Sequence, residues 1–316
     1  MQIPIVSLKD TLKLVLQSLQ LATILPTSVF ITINLFIIPF LFPQLHLSLK
    51  NEALDVILFL FLITLSYMLY AYNYLFIRFL EGYIGWDNVF LFWLKDMKVK
   101  SHQRNYKLYK KMTTSRNPVL KNDAIQYLEY NYPLDENYIL PTRLGNAIAA
   151  FENYSFSRYG IDAVSIWSRL IPFLQKNNYI DNVAQQKSVF DLLLNFYLFS
   201  IILGFEFICV ACVQKSGVAI LLIVIFTYLV SYLLYLGLIN TAIGWGETVR
   251  VSFDLYRDEL WKGLRLKNMD PKYEKSVWKR VSQLIQMGNL KNEFHMIYNT
   301  LKKAPEEAFD DHPKKD

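Results

Sequence analysis

Four long stretches of the chain are almost free of charged residues, and they constrain its fold more than any other feature of the sequence. They are residues 21–43, 55–78, 191–214 and 217–244. A helix needs about 20 largely apolar residues to cross the hydrocarbon core of a bilayer, and each stretch reaches that length. A buried helix of a soluble protein usually places polar residues at every third or fourth position, which these stretches do not. The sequence therefore predicts an all-α polytopic membrane protein with four transmembrane helices.

Composition excludes several other classes of protein. Hydrophobic residues make up 53% of the 316 residues and charged residues only 19%, which excludes a largely disordered chain. The 11 glycines and 11 prolines follow no period, so a collagen-like fibre is excluded. Two cysteines cannot build a disulfide framework. What remains is a folded and mostly apolar protein.

The basic residues predict how the chain is oriented, because lysine and arginine accumulate on the cytoplasmic side of a membrane. Of the 33 lysines and arginines, only Lys50 and Lys215 lie in the two short loops between spans. Both termini are therefore predicted to be cytoplasmic, together with a helical domain at 79–190 and a helical tail at 245–303. We expect an interfacial amphipathic helix at 1–20 and a disordered tail at 304–316.

A cluster of basic residues opens the domain at 79–190. Between residues 95 and 116 there are eight lysines and arginines and one acid, Asp96. Anionic lipid headgroups are the expected partner, since each basic residue near such a surface gains about 1 kcal/mol. Nucleic acid is a competing anion because Tyr106 and Tyr109 interleave with the lysines, but it is not the expected partner, since no recognition motif accompanies them. A solvated face without a ligand also stays open. The predicted membrane-facing patch consists of Lys98, Lys100, Arg104, Lys107, Lys110 and Lys111.

Three arginines recur in the segment 140–170: Arg143, Arg158 and Arg169. The segment predicts two helices that separate at Gly160. Guanidinium groups suit phosphate or carboxylate partners. The favoured interpretation pairs the arginines with Glu152 and Asp162 inside the domain, because ion-pair networks are a common source of such patterns. The alternative is a site in which the three arginines and Asn146 converge on a headgroup or a soluble anion.

After the fourth span the chain is predicted to continue as a helix from about residue 245 to residue 266, followed by another over 273–287. Arg250 stands four residues before Asp254, a spacing that predicts an exposed ion pair. An apolar stripe along the same helix is typical of packing. The stripe consists of Val249, Phe253, Tyr256 and Leu260.

Several short blocks of the chain resemble those of a family of uncharacterised bacterial four-span membrane proteins. The blocks are Arg78-Phe-Leu-Glu-Gly-Tyr83, Leu140-Pro-Thr-Arg-Leu-Gly-Asn146, Arg158-Tyr-Gly-Ile-Asp162 and Phe253-Asp-Leu-Tyr-Arg257. The resemblance runs from the second span to about residue 266. It implies a location in the bacterial inner membrane and brings no known reaction.

The sequence shows no catalytic signature. It has no glycine-rich phosphate loop and no Gly-x-Ser-x-Gly elbow, and no pair of its histidines has metal-ligand spacing. We therefore expect no enzymatic activity, no cofactor and no metal. A lipid-modifying enzyme that assembles its site from Glu81, Asp87 and the arginines is a distant alternative.

Glu206 lies about sixteen residues into the third span, where a carboxylate costs about 2.5 kcal/mol or more unless it is protonated or has a partner. Asn34 is one candidate partner on another span. The others are Thr32, Thr64, Ser66 and Tyr228. Two interpretations stay open: a protonated carboxyl that links helices, and a group that lines an ion path.

Two functions are consistent with these patterns. The first is a non-enzymatic membrane anchor or effector whose cytoplasmic domain binds a cytosolic protein partner or an anionic ligand. The second is a channel gated by that domain, which requires a homo-oligomer because four spans in one chain seldom enclose a conduit. Glu206 would line the path of such a channel.

Overall fold

The computed structural model describes residues 21–41, 52–264 and 271–286. Within these ranges 87% of the residues are helical and there is no strand, so the all-α prediction is confirmed. The predicted interfacial helix at 1–20 and the predicted disordered tail at 304–316 lie outside the described residues, as do residues 265–270 and 287–303 of the predicted helical tail.

Ten α-helices form the described part of the chain. Short 3₁₀ turns at Glu136–Tyr138 and Pro271–Tyr273 accompany them. In chain order the helices are α1 (Leu21–Leu41), α2 (Glu52–Glu81), α3 (Val89–Met112), α4 (Pro118–Asn131), α5 (Arg143–Glu152), α6 (Tyr154–Tyr159), α7 (Ala163–Lys176), α8 (Ile180–Val213), α9 (Gly217–Gly263) and α10 (Glu274–Gln286).

Four of these helices, α1, α2, α8 and α9, are long and apolar enough to cross a membrane. They contain nearly all of the four predicted spans, and α2, α8 and α9 extend beyond them. Large apolar side chains on these helices point outward: Phe36 is 72% exposed, Leu60 57% and Phe226 67%. Water is a poor solvent for so much apolar surface, whereas lipid is a good one. The chain is therefore an all-α polytopic membrane protein.

The described residues divide into two compact units. We call 21–41, 52–80 and 185–242 the transmembrane unit, and 81–184, 243–264 and 271–286 the helical unit.

Helix α8 contacts the first two spans within the transmembrane unit through polar side chains. Asn195 Nδ2 donates to the carbonyl oxygen of Ala22 on α1 at 2.8 Å. Asn73 Nδ2 on α2 donates to Asp191 Oδ1 at 3.2 Å, and Lys187 pairs with the same carboxylate. Such hydrogen bonds between helices contribute to packing where lipid provides no hydrophobic driving force between them.

Helix α8 also packs closely on α9. The hydroxyl oxygens of Ser200 and Ser231 are 2.8 Å apart. A Cβ atom at Gly204 would lie 2.2 Å from Thr227 Cγ2, so only glycine allows the two backbones to approach this closely. Small residues thus set the spacing of α8 and α9.

The core of the helical unit forms around α5, α7, α9 and α10. Leu144 at the start of α5 is fully buried, as are Ile166 and Leu170 on α7. Phe253 on α9 and Trp278 on α10 are each 1% exposed. The predicted packing role of the stripe on α9 is confirmed, since Val249, Phe253 and Leu260 are all buried.

The end of α2 and the start of α5 fit against each other without space for another atom. A Cβ at Gly82 would lie 2.2 Å from Pro141 Cγ, and one at Gly145 would lie 2.2 Å from the carbonyl oxygen of Glu81. Thr142 caps α5, because its Oγ1 accepts from Gly145 N at 2.8 Å and donates to Glu81 O at 3.2 Å. The blocks 78–83 and 140–146 therefore contact each other in the fold.

The predicted helix break at Gly160 is confirmed. Gly160 ends α6 in the left-handed region with φ of 77°, and a Cβ there would lie 2.2 Å from the carbonyl oxygen of Lys275. Asp162 then caps α7 by accepting from Ser165 N at 3.0 Å. A further break at Asn153, which the sequence pattern did not predict, separates α5 from α6.

Candidate anion-binding site

A cavity of about 680 Å³ lies within the helical unit. Its walls come from α3, α4, α5, α6 and α9 and from the loop that follows α4. Cavities of this size commonly hold small molecules. Three of its described lining residues are basic, namely Lys110, Arg158 and Arg250, and one, Glu129, is acidic.

Arg250 is the buried cation of this cavity, and its side chain is only 5% exposed. Its Nη2 donates to the carbonyl oxygen of Glu129 at 2.6 Å. The rings of Tyr130 and Tyr154 lie 5.1 and 5.2 Å from its Cζ atom, at cation–π distance. Its Nε and Nη1 atoms have no hydrogen-bond partner among the residues that the structure describes. The carboxylate of Glu247, which is half exposed, lies 3.8 Å from Nη1.

The predicted exposed ion pair between Arg250 and Asp254 is therefore wrong: Arg250 is buried, and the carboxylate at ion-pair distance from it is that of Glu247. Arg250 is buried because its helix presents it to α4 and α6 rather than to solvent. A buried charge whose donors are only partly satisfied is costly unless an anion completes its coordination. The arrangement is that of a site that favours a negatively charged group.

Asp254 instead accepts hydrogen bonds from two tyrosines. Tyr154 Oη lies 3.1 and 3.0 Å from its two carboxylate oxygens, and Tyr159 Oη lies 2.7 Å from Oδ1. Burial, and then the hydrogen bond to Asp254, raises the pKa of Tyr154 and that of Tyr159 above the usual tyrosine value. Both phenols therefore stay neutral and add no negative charge beside Arg250.

Lys110 and Arg158 place two exposed cations at the same cavity. Lys110 Nζ lies 5.6 Å from the centre of the Tyr106 ring. Arg158 Cζ lies 5.7 Å from the Tyr154 ring and 5.9 Å from the Tyr159 ring. Both side chains are long and solvated, so they are able to move toward an anion that reaches Arg250.

The four residues of the predicted anion site are not brought together in one cavity. Arg158 lines the cavity with Arg250, whereas Arg143 and Asn146 line a second and much smaller one. Arg169 Nη1 donates to the carbonyl oxygen of Ser165 at 2.8 Å within its own helix. Only Arg158 of this set therefore shares a site with the buried cation.

The side chain of Asn146 is used in hydrogen bonds to the backbone. It is 1% exposed, and its Nδ2 donates to the carbonyl oxygens of Leu140 and Thr142, both at 2.8 Å. Its Oδ1 accepts from Leu140 N at 2.7 Å. Both donors of the amide are used by the backbone, so Asn146 holds the loop before α5.

His102 and Tyr132 lie beside the smaller cavity. His102 Nδ1 is 3.1 Å from Tyr132 Oη. Burial lowers the pKa of His102, and the positive charges of Lys98 and Arg143 lower it further. Burial raises the pKa of Tyr132 to about 12. His102 is therefore neutral at pH 7, and a hydrogen bond joins its Nδ1 to the Tyr132 hydroxyl.

The six residues of the predicted membrane-facing patch all lie on α3 and are exposed. Two of them form ion pairs with acids: Lys100 with Asp96 at 2.7 Å, and Lys107 with Glu136 at 2.8 Å. Lys110 also lines the Arg250 cavity. The others are Lys98, Arg104 and Lys111.

Within the transmembrane unit, Glu206 and Asn34 are neighbours. The Asn34 side chain hydrogen-bonds to Glu206, which links α1 to α8, and Asn34 Nδ2 also lies 3.2 Å from the carbonyl oxygen of Phe30. Glu206 Oε2 is buried and has no hydrogen-bond partner in the described ranges. Of the five candidate partners that the sequence offered for Glu206, the fold provides Asn34.

Sequence reasoning missed Arg250 as a site residue. The available signal was its position three residues before Phe253, at the edge of the apolar stripe on α9, where a charged side chain is partly buried by the helix geometry.

No family model matches the chain, and no curated protein or solved structure is significantly similar to it.

Proposed function

We propose that the protein is a non-enzymatic membrane anchor or effector of the bacterial inner membrane, and that its helical unit binds an anionic ligand, or an anionic group of a cytosolic partner, in the Arg250 cavity. The observation that carries this proposal is the buried guanidinium of Arg250, two of whose nitrogens have no hydrogen-bond partner in the described residues. Lys110 and Arg158 add positive charge at the same cavity.

The helical unit faces the cytosol in this proposal, and so do both termini. The support is the placement of the basic residues, of which only Lys50 and Lys215 fall in the short loops between spans. The exposed patch on α3 then contacts anionic lipid headgroups. Trp93, which is 70% exposed near the start of α3, suits the interfacial region of such a membrane.

Anion binding is tested with the full chain in nanodiscs of zwitterionic lipid, so that lipid headgroups do not compete. The probe is inorganic phosphate, compared with chloride at equal ionic strength. We expect phosphate to raise the melting temperature, since a ligand that binds only the folded state stabilises it by about 2.7 kcal/mol at one hundred times its Kd. Arg250→Gln should lose this increase.

The matched control is Lys121→Gln, which removes one positive charge from α4 at an exposed residue outside the cavity lining. It should respond to phosphate like the wild type. If Arg250→Gln does not fold, the double variant Lys110→Gln and Arg158→Gln replaces it, because both side chains are exposed. No stabilisation of the wild type by phosphate, or equal loss in the control, would count against the proposal.

A homo-oligomeric channel is the second candidate, and the contact between Glu206 and Asn34 is what favours it. An acid inside a span, with one oxygen that has no hydrogen-bond partner among the described residues, is a candidate group for an ion path. Glu206→Gln should alter ion flux in reconstituted liposomes if the protein conducts. Unchanged flux would remove this candidate and leave anion binding unaffected.

A further inference from the structure

We propose that the Arg250 cavity binds a phosphate monoester that carries an apolar group, rather than a bare inorganic anion. This inference rests on the proposed anion binding and identifies the class of ligand. Charge, wall chemistry and size each point to it.

Charge favours a dianion. Among the described lining residues, Lys110, Arg158 and Arg250 supply three positive charges and Glu129 one negative charge. A phosphate monoester carries a charge of about −1.5 to −2 at pH 7, whereas a carboxylate carries only one negative charge. The lining residues alone therefore carry an excess of two positive charges. Glu247, whose carboxylate lies 3.8 Å from Arg250 Nη1, is half exposed, so solvent screens its charge and the excess at the cavity matches the monoester better than a carboxylate.

Three tyrosines that line the cavity have hydrogen-bond partners for their hydroxyl groups. Their rings are therefore the part of the side chain that is left to contact a ligand. Tyr106 Oη donates to the carbonyl oxygen of Leu134 at 2.8 Å. Tyr132 Oη bonds to His102, and Tyr154 Oη bonds to Asp254. Tyr106 and Tyr132 are each only 5% exposed, so most of the ring surface that the tyrosines offer to the cavity comes from the half-buried Tyr154.

Aliphatic side chains extend this apolar wall. Ile125, Leu128 and Leu134 line the cavity, and Ile125 and Leu134 are 42% and 66% exposed. A phosphate ion alone would fill only a small part of about 680 Å³ and would leave these side chains in contact with water. An ester with an apolar body would cover them while its phosphate reaches the guanidinium.

Binding is measured by calorimetry with the full chain in zwitterionic nanodiscs, using inorganic phosphate, phenyl phosphate, benzoate and phenol. We expect phenyl phosphate to bind about tenfold tighter than inorganic phosphate, because burial of a phenyl ring adds a hydrophobic contribution. Benzoate should bind more weakly than phenyl phosphate, and phenol should not bind. Decyl phosphate is tested in the same way. Binding tighter than that of phenyl phosphate would indicate a lipid-like ester as the ligand, and weaker binding would indicate a soluble aromatic ester.

Variants separate the apolar wall from the charges. Ile125→Ser combined with Leu134→Ser should weaken phenyl phosphate several-fold and leave inorganic phosphate unchanged. Glu129→Gln should strengthen both phosphates, since it removes the negative charge from the lining. Lys121→Gln is again the control and should change neither.

The two levels of the proposal fail differently. If inorganic phosphate or benzoate binds as tightly as phenyl phosphate, the inference that the ligand is a phosphate monoester is wrong, whereas the proposed anion site still stands. If none of the anions binds the wild type, both the monoester and the proposed function are wrong.

Discussion

The hydroxyl of Tyr154 lies 3.1 and 3.0 Å from the two carboxylate oxygens of Asp254. The same tyrosine places its ring 5.2 Å from the guanidinium carbon of Arg250. Asp254 therefore acts on the cavity through Tyr154: it fixes the ring that borders the buried cation. The chain of contacts runs from a carboxylate on α9, through α6, back to an arginine one helical turn earlier on α9.

Removal of the Tyr154 hydroxyl should lower the stability of the fold and leave anion affinity unchanged. Tyr154→Phe loses the hydrogen bond to a charged acceptor, for which we expect a loss of about 1–2 kcal/mol in the free energy of unfolding. The ring remains beside Arg250, so phosphate affinity should stay near the wild-type value. Chemical denaturation and calorimetry measure the two quantities. Tyr138→Phe, at a half-exposed ring, is the control and should change neither.

His102 should make the protein less stable in mildly acidic solution. Its pKa is lowered in the folded state, chiefly by burial, so the unfolded chain binds a proton more readily. Stability is therefore fully retained above the unfolded pKa of about 6.5 and decreases as the pH falls below it. The stability difference between the wild type and His102→Asn should shrink between about pH 8 and pH 5. A difference that is constant across this range would contradict the assignment.

The contact between Glu81 and Gly145 should tolerate no added methyl group. Gly145→Ala would place a Cβ 2.2 Å from a backbone carbonyl oxygen, and we expect a loss of about 1–3 kcal/mol. Gly217→Ala provides the comparison, since no atom lies within 4 Å of a Cβ there. Thermal unfolding in detergent should show a lower melting temperature for the first variant only. Equal behaviour of the two variants would mean that this junction adapts easily.

The proposed orientation predicts a pattern of labelling in intact cells. In a chain with Cys209 and Cys212 replaced by alanine, a cysteine at Ser216 should react with a membrane-impermeant maleimide added outside. A cysteine at Lys121 should react only after the inner membrane is permeabilised. Both original side chains are accessible, so burial does not prevent the reaction. The reverse labelling pattern would contradict the proposed orientation and would mean that the helical unit faces the outside.

The spans and the helical content were predictable because their signals are local. A stretch such as 217–244 needs no tertiary partner to show that it is apolar and long enough to cross a bilayer. The helix break at Gly160 and the packing of Phe253 were predictable for the same reason. A glycine between two helical segments and an apolar stripe are both visible in the sequence.

The cavity was not predictable because it depends on contacts far apart in sequence. Arg250 meets the carbonyl oxygen of Glu129 across 121 positions. Spacing along α9 suggested Asp254 as its partner, yet that carboxylate bonds to Tyr154 and Tyr159. Arg143 begins α5 and Arg158 lies near the end of α6, and with the break at Asn153 between these two helices the arginines line different cavities. Only the fold decides between such alternatives.

The choice of arginine as the buried cation has a consequence for regulation. A guanidinium keeps its proton throughout the physiological range, unlike a histidine at the same position. Any pH dependence of the proposed anion binding then comes from the anion, such as a phosphate monoester whose second pKa is about 6. If the proposed binding holds, occupancy of the cavity depends on the concentration and the protonation state of the anion, while the cationic end of the contact stays constant.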